Sequence, residues 1–336
     1  MFARSQKRFV WADVIRVLAT YFVICVHLTY VLSPITGSNP VDVAIFSVAK
    51  TCVPLFAVLS GALLMSKKDT FITFIKKRLS RLLKPWVFWT SMYTILFFVK
   101  TQQSFTVSKF IYEESIQLFT LLWFVPIIFG LYLITPLFRY FFYKRSVFYQ
   151  FLYIVIWFGI LVHFPKLYED PRFIRTNDVT FVVQVFLYSG FFLWGDTVLK
   201  LQKMLPISTQ YVLSVVCVVS GLFWTYLTVL HGGGGGSFHY LSGNIALLTL
   251  GFYWILILSF SRVKITGFFL EHITRASKLS FGVLFLHILI IQFVLKDMIS
   301  SLASIPYFIS AAVLGIFSYM VLLWMTRVTF LRKIVT

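Results

Sequence analysis

Three ionisable residues, Asp13, Arg16 and His27, lie within the first apolar segment of the chain. Charged groups inside a bilayer are costly and usually face a bundle interior or a polar cavity, so their presence predicts a functional site. Arg16 and His27 are separated by close to three helical turns, which puts both on one helix face and about 16 Å apart along the axis. Asp13 lies one turn before Arg16 and can pair with it. This spacing predicts a site that extends from a membrane surface towards the bilayer centre.

The chemistry of these side chains indicates catalysis next to a ligand-binding group. Histidine has the unperturbed pKa that best suits proton transfer near neutral pH, which favours a catalytic role for His27 over a structural hydrogen bond. Arg16 and Asp13 could form a buried ion pair, but such pairs are weak evidence for stability, so we expect Arg16 to bind a ligand. His287 is a second histidine within an apolar segment, and structural and functional roles are both open for it. Lys50 is expected to extend its amine to the outer membrane surface.

The densest cluster of positive charge follows the second apolar segment, over residues 67–86. Apolar residues recur in it at helical spacing, which predicts an amphipathic helix along the inner membrane surface. Arg78 and Arg81 are one helical turn apart and could together grip one phosphate group. Two interpretations stay open: a stop-transfer cluster bound to anionic lipid, and a surface that binds the phosphates of a cytosolic cofactor.

Composition places the chain among integral membrane proteins. Hydrophobic residues are 59% of the chain, charged residues are 12%, and the mean hydropathy is +0.88, whereas a soluble domain is about 25% charged. The sequence therefore predicts an all-α polytopic membrane protein, with a single transmembrane domain over residues 1–336 and no separate soluble domain. About ten spans are expected from the apolar runs. They lie at residues 11–33, 43–66, 84–99, 118–138, 147–164, 179–198, 211–230, 241–260, 279–295 and 305–326.

The net charge of +19 could suggest nucleic-acid binding, but its distribution argues against that partner. With the N-terminus in the cytoplasm, most Lys and Arg residues fall in cytoplasmic segments, which is the bias that orients membrane proteins. An even number of spans then returns the C-terminus to the cytoplasm. We therefore expect a multi-pass protein whose immediate partner is the lipid bilayer, and no nucleic acid.

Two loops and the three cysteines give weaker indications of function than the residues above. The loop over residues 165–178 carries charges of both signs and could shape an external acceptor site. The five glycines of residues 232–236 are typical of a flexible linker, neither a phosphate loop nor a pre-organised metal site. Cys25, Cys52 and Cys217 fall within predicted spans and have no metal-ligand spacing, so neither a disulfide framework nor a metal is expected.

In chain order, these pieces resemble the membrane-bound acyltransferase-3 family, whose bacterial members O-acylate cell-surface glycans. The match begins with the Asp13–Arg16 motif and the histidine eleven residues after Arg16. Each later piece is weak alone, but the order of the set from Asp13 to His287 is specific. The later pieces are Val53–Phe56 with Leu59–Gly61, the basic segment Lys77–Pro85, Leu122–Phe124 with Tyr132 and Pro136, Leu187–Phe191, and Ser280–His287, in which Phe281 stands where the family often has tyrosine.

The resemblance implies an enzyme, an acetyl-CoA-dependent O-acetyltransferase, with acyl-CoA as co-substrate and no metal. Arg16, Arg78 and Arg81 would bind the donor through the phosphates of coenzyme A. His27 and Asp13 form the implied catalytic set: His27 acts as general base or carries the acyl group, and Asp13 orients Arg16. The remaining implied positions line the substrate cavity; they are Ser60, Ser280 and His287.

The acceptor implied by the family is a cell-surface glycan or lipid-linked saccharide, such as an exopolysaccharide or lipopolysaccharide, and the implied location is the bacterial cytoplasmic membrane. Two alternatives stay open. Intramembrane charges would also line the path of an exporter of a polysaccharide or lipid-linked sugar, although no internal repeat of the kind common in transporters is evident. The chain could also be a structural partner in a glycan-synthesis complex. Dependence of acyl transfer on His27 would distinguish the enzyme from both.

Overall fold

The computed structural model describes residues 9–32, 40–67, 69–102, 104–112, 123–143, 145–165, 167, 178–232, 238–291 and 307–328. Eleven helices lie within these described residues, and no β-strand does. In chain order they are α1 Val10–Leu32, α2 Pro40–Ala49, α3 Cys52–Leu64, α4 Phe71–Thr101, α5 Phe124–Phe142, α6 Val147–His163, α7 Asp178–Met204, α8 Ile207–Leu230, α9 Gly243–Phe260, α10 Gly267–Leu289 and α11 Tyr307–Met325.

The prediction of an all-helical membrane protein is confirmed. Eight stretches of the described residues are helical, long and apolar enough to cross a membrane, and a shorter apolar helix, α6, corresponds to the fifth predicted span. The ninth span, predicted at 279–295, belongs instead to α10, which begins earlier, at Gly267, with a charged first half. Residues 292–295 of that span lie outside the described part of the chain.

The break between α2 and α3 has a cause in the sequence. Pro54 has no N–H, and its ring excludes the carbonyl of the residue four positions before it, which is Lys50. The regular helix accordingly stops at Ala49 and resumes at Cys52. The Thr51 hydroxyl donates to the carbonyl of Val48, at 2.6 Å, together with the Thr51 N–H, at 3.1 Å.

Helix α4 joins two elements that the sequence predicts as separate. The expected surface helix and the third span form one helix that continues through Pro85. The proline removes only the hydrogen bond to the carbonyl of Arg81, and the rest of the ladder holds the helix together. Its basic segment is therefore rigidly continuous with the membrane-spanning part, where Trp89 and Tyr93 are buried.

Two helix contacts position the site. Helices α1 and α10 run in the same direction, because Asp13 meets Ser277 near one end and His27 meets His287 near the other. Helices α3 and α7 cross closely at Gly61, where a Cβ atom would lie only 1.6 Å from the carbonyl oxygen of Phe192. Small residues of this kind allow membrane helices to approach each other backbone to backbone.

Candidate active site

One elongated cavity of about 1370 Å³ lies between α1, α3, α4, α5 and α10. All eight residues that the sequence singles out as site residues line it. Its wall also includes Ser66 and Lys67, which lie between α3 and α4, and parts of α7 and α9. The eight predicted residues are Asp13, Arg16, His27, Ser60, Arg78, Arg81, Ser280 and His287.

Near the start of α1, Arg16 is held by two oxygen partners. Its Nη1 atom donates to the Ser277 hydroxyl at 2.6 Å and to the Asp13 carboxylate at 3.2 Å. The Ser277 hydroxyl in turn donates to the same Asp13 oxygen at 2.6 Å. Asp13 is only 3% exposed and lies about 21 Å along the helix from His27. Asp13 therefore fixes Arg16 and does not contact His27.

The same end of the cavity is strongly basic. Among the described residues that line it, Asp13 is the only carboxylate, and five side chains carry positive charge. Burial lowers the pKa of Lys67 below its usual value, and the neighbouring charge of Arg78 lowers it further, as expected where like charges crowd together. An anion bound here would relieve that repulsion. The five basic residues are Arg16, Lys67, Arg78, Arg81 and Lys278.

Arg78 and Tyr132 extend this basic end inwards. The Nε atom of Arg78 is buried and has no hydrogen-bond partner among the described residues. The Tyr132 hydroxyl is within hydrogen-bonding reach of Ser60 and interacts electrostatically with Arg78, Arg16 and Arg81. A buried guanidinium nitrogen without a partner is unfavourable by about 1–3 kcal/mol. Arg78 is therefore arranged to receive an acceptor atom from a ligand.

The two histidines meet at the deeper end of the cavity. The ring centroids of His27 and His287 are 5.1 Å apart, and the rings are nearly perpendicular. His27 faces the cavity, about 16 Å along α1 from Arg16. His287, which was predicted only as a cavity residue, is in direct contact with the predicted catalytic histidine. The charge of Lys50 also acts on His27.

Aromatic side chains from α3 and α5 and from the loop before α9 line the cavity beyond the histidines. Phe56 and Phe124 have ring centroids 6.0 Å apart, and Trp123 and Tyr240 are 5.6 Å apart. Trp123 and Tyr240 each combine an aromatic face with one polar group, whereas Phe56 and Phe124 are wholly apolar. This end of the cavity therefore differs in chemistry from the basic end.

The prediction for Lys50 was wrong. This residue is 3% exposed and does not reach a surface. Its Nζ atom donates to the Tyr30 hydroxyl at 2.7 Å and lies over the rings of Tyr240 and Phe46, 4.2 and 5.3 Å from their centroids. Cation–π contacts from three segments replace water because Lys50 lies at the α2–α3 break, where these rings enclose it. Burial, and secondly the charge of Lys50, lower the pKa of His239 to about 4, so this loop histidine is neutral at pH 7.

Sequence reasoning missed Ser277 as a site residue, and it assigned no role to Tyr132 or Lys67, although Tyr132 belongs to a family motif and Lys67 to the basic segment. The signal for Ser277 was present, because Ser277, Ser280 and His287 recur at helical spacing and form one polar stripe on α10. The polar pattern of α5 gave no role for Tyr132, because its neighbours on α5 are apolar and only the packing of α5 against α3 and α4 brings it to the arginines.

Two other sequence features lie largely outside the described residues. They are the charged loop at 165–178, of which only 165, 167 and 178 are described, and the glycine linker, of which only Gly232 is described. Within the part of the chain that the structure describes, no group of three or more His, Cys, Asp or Glu side chains could hold a metal ion.

A comparison with protein families gives a match over almost the whole chain. A family model described as an acyltransferase domain matches residues 9–324. No curated protein and no solved structure matches the chain. The matched range contains every residue that lines the cavity.

Proposed function

The chain belongs to the acyltransferase 3 family of membrane acyltransferases, and on this basis we propose that it is an O-acyltransferase acting on a glycan. It transfers an acyl group, acetyl in the simplest case, from cytosolic acyl-CoA to a hydroxyl of a cell-surface or lipid-linked saccharide. The proposed location is a bacterial cytoplasmic membrane, with the basic end of the cavity on the cytoplasmic side, as the distribution of Lys and Arg predicts.

The observation that carries the proposal is the cavity itself, which joins a basic end to a histidine end. Coenzyme A has phosphates at one end and a thiol at the end of a long, thin arm. Arg16 and His27 are about 16 Å apart along α1, a separation that such an arm can span. A donor bound in this way would bring its thioester to His27 while its charged groups stay with the arginines.

The donor phosphates bind Arg16, Arg78 and Arg81 in this proposal. Guanidinium groups make charge-assisted and often bidentate hydrogen bonds to phosphate, and these are about twice as strong as neutral ones. Asp13 and Ser277 hold Arg16 in place through the hydrogen bonds described above. Asp13 is thus a positioning residue for the donor, although the sequence grouped it with His27.

The reacting groups meet at His27. Acyl transfer requires removal of a proton from the acceptor hydroxyl and attack of that oxygen, directly or through an acyl-enzyme, on the thioester carbonyl. His27 either takes that proton or carries the acyl group for part of the cycle. The aromatic end of the cavity, with Trp123 and Tyr240, is the proposed entry side for the saccharide.

A binding titration tests the donor half of this proposal without knowledge of the acceptor. We expect the purified full-length protein to bind acetyl-CoA saturably. Arg16→Ala and an Arg78→Ala/Arg81→Ala double variant should lose that binding, because each removes phosphate contacts. His27→Ala should bind normally but lose about 10²- to 10⁴-fold in turnover, the usual contribution of acid–base catalysis.

The outcomes are separable. Binding that is lost in the arginine variants and kept in His27→Ala supports a CoA-dependent acyltransferase. A folded wild-type protein that does not bind acetyl-CoA would contradict it and would favour an exporter of polysaccharide or lipid-linked sugar. An active His27→Ala protein would leave donor binding intact and remove His27 from the chemistry.

A further inference from the structure

The hydrogen bond of His287 to its own helix fixes the tautomer of the ring. The Nδ1 atom lies 2.9 Å from the carbonyl oxygen of Val283. A carbonyl oxygen can only accept, so Nδ1 carries the hydrogen and donates it. In the neutral ring the other nitrogen, Nε2, must then bear a lone pair. His287 is therefore set up to accept a proton at one defined atom.

That lone pair has no partner. The Nε2 atom is buried, His287 is 0% exposed, and no described residue hydrogen-bonds to this atom. Leaving a buried acceptor unsatisfied is unfavourable by about 1–3 kcal/mol. His287 nonetheless lines the cavity, next to His27. A substrate hydroxyl that reaches this atom would supply the missing donor.

The contact between the two rings is not a hydrogen bond. The rings meet nearly perpendicular at 5.1 Å, and Nε2 of His287 has no donor from His27. A direct proton transfer from one ring to the other is therefore not arranged. The charged and titratable groups that act on the pair are Lys50, which acts on His27, and His27, which acts on His287.

We propose that the two histidines divide the reaction: His287 Nε2 is the general base for the acceptor hydroxyl, and His27 carries the acyl group. This inference rests on the proposed acyltransferase function and decides between the two roles open for His27. It also makes His287 a catalytic residue, because its Nε2 atom contacts the reacting hydroxyl.

The two steps balance. A lone pair of His27 attacks the thioester carbonyl, the carbon–sulfur bond breaks, and CoA leaves as a thiolate from an acyl-imidazolium. The acceptor oxygen then attacks the acyl carbon while its proton moves to His287 Nε2, and the carbon–nitrogen bond breaks to restore neutral His27. The released thiolate takes a proton from water, and His287 returns its proton to water after the product leaves, so that the net change is transfer of the hydroxyl proton to CoA. No metal, oxidant or further co-reactant is needed.

Rapid-mixing measurements of CoA release from acetyl-CoA, with water as the acceptor, test this division. We expect wild type to show a burst of about one CoA per protein followed by slow steady turnover, the pattern of an acyl-enzyme. His287→Asn should keep the burst and lose about 10²- to 10⁴-fold in the steady phase. His27→Ala should show neither phase, and mass spectrometry of His287→Asn should find the acetyl group on the peptide that contains His27.

The asparagine variant separates catalysis from structure, because its side-chain amide can still donate to the Val283 carbonyl while the basic lone pair is gone. A matched control exists on the same helix: His272 makes the same bond to the carbonyl of Phe268, at 2.9 Å, but is exposed outside the cavity. His272→Asn should behave as wild type.

Three results would overturn the proposal. They are unchanged steady turnover in His287→Asn, a burst in His27→Ala, and no burst in a wild-type protein that binds acetyl-CoA. In each of these cases donor binding, and with it the proposed function, still stands. A wild-type protein that neither binds acetyl-CoA nor releases CoA contradicts the proposed function as well.

Discussion

Two polar clusters lie within apolar helices of this protein, and they differ in how completely the protein satisfies them. The first, which we call the ion-pair network, joins α5, α6 and α7. Asp196 accepts from Gln150 at 2.8 Å and from Lys200 at 3.1 Å. Lys200 also donates to the carbonyl of Phe142, at 3.1 Å, near the end of α5. Among the described residues, the network leaves no buried side-chain nitrogen or oxygen without a partner.

The second, which we call the cavity cluster, comprises Asp13, Arg16, His27, Arg78 and His287. It borders an open volume, and two of its buried nitrogens, on Arg78 and His287, have no partner among the described residues. Charged residues in apolar segments predict function equally for both clusters. The two clusters differ in whether every buried polar atom has a hydrogen-bond partner. A fully hydrogen-bonded network holds helices together, whereas buried polar atoms without a partner remain able to bind a ligand.

Breaking the ion-pair network should have the largest effect on folding. Asp196→Ala removes the acceptor of the buried Gln150 amide and of Lys200, whose side chain is 23% exposed and keeps the Phe142 carbonyl. Removal of one member of a fully buried pair is destabilising by about 3–5 kcal/mol, which is the upper bound here. We expect a large loss of folded protein in thermal unfolding, with unchanged acetyl-CoA affinity in the fraction that remains folded. The exposed pair Glu271–Arg275 is the control, since Glu271→Ala should change stability by about 1 kcal/mol or less. Weakened acetyl-CoA binding in folded Asp196→Ala would show that the two clusters are coupled.

Two arginines beside the same ring make the comparison sharper. Arg139 and Arg78 both lie over Phe74, with guanidinium carbons 4.6 and 5.8 Å from the ring centroid. Arg139 is satisfied by the carbonyl of Leu64, at 2.6 and 3.2 Å, which caps the end of α3. Arg78 has a buried nitrogen without a partner.

Arg78→Ala should therefore weaken CoA binding roughly ten- to a hundredfold, the value of a hydrogen bond to a charged group. The effect should diminish with added salt, and the melting temperature should hardly change. Arg139→Ala should instead lower the melting temperature and leave CoA affinity within about twofold of the wild-type value. Equal losses of CoA affinity in the two variants would contradict the view that Arg78 binds the ligand whereas Arg139, already hydrogen-bonded within the protein, does not.

Much of this organisation could be predicted from the sequence. The apolar runs give the helical membrane class, because in lipid the backbone must satisfy its own hydrogen bonds. The spacing of Arg16 and His27 places them on one face at a fixed separation, since helical geometry alone determines it. Ser60 and Ser280 were expected in the cavity only through the family resemblance, and both line the cavity in the structure.

What the sequence could not give depends on packing between distant segments. Lys50 was expected at a surface, but rings contributed by α1, α2 and the loop before α9 enclose it. Tyr132 reaches the arginines only because α5 packs against α3 and α4. The sequence analysis did not single out the ion-pair network, and the sequence alone could not show that its polar groups are all hydrogen-bonded, because hydrogen bonding between helices depends on contacts made after folding.

The smallest expected effect tests whether the protein pre-arranges Arg16 for its ligand. Ser277→Ala removes a hydroxyl that donates to Asp13 and accepts from Arg16, and a single hydrogen bond contributes about 0.5–1.5 kcal/mol net. Because Asp13 still holds Arg16 at 3.2 Å, CoA affinity should fall only about two- to tenfold, as titration of acetyl-CoA would measure. Ser214, equally buried but bonded only to its own helix, is the control, and Ser214→Ala should leave affinity unchanged. If Ser277→Ala bound CoA as tightly as wild type, Arg16 would be positioned without the Ser277 hydroxyl, and the contact between α1 and α10 would serve packing rather than donor binding.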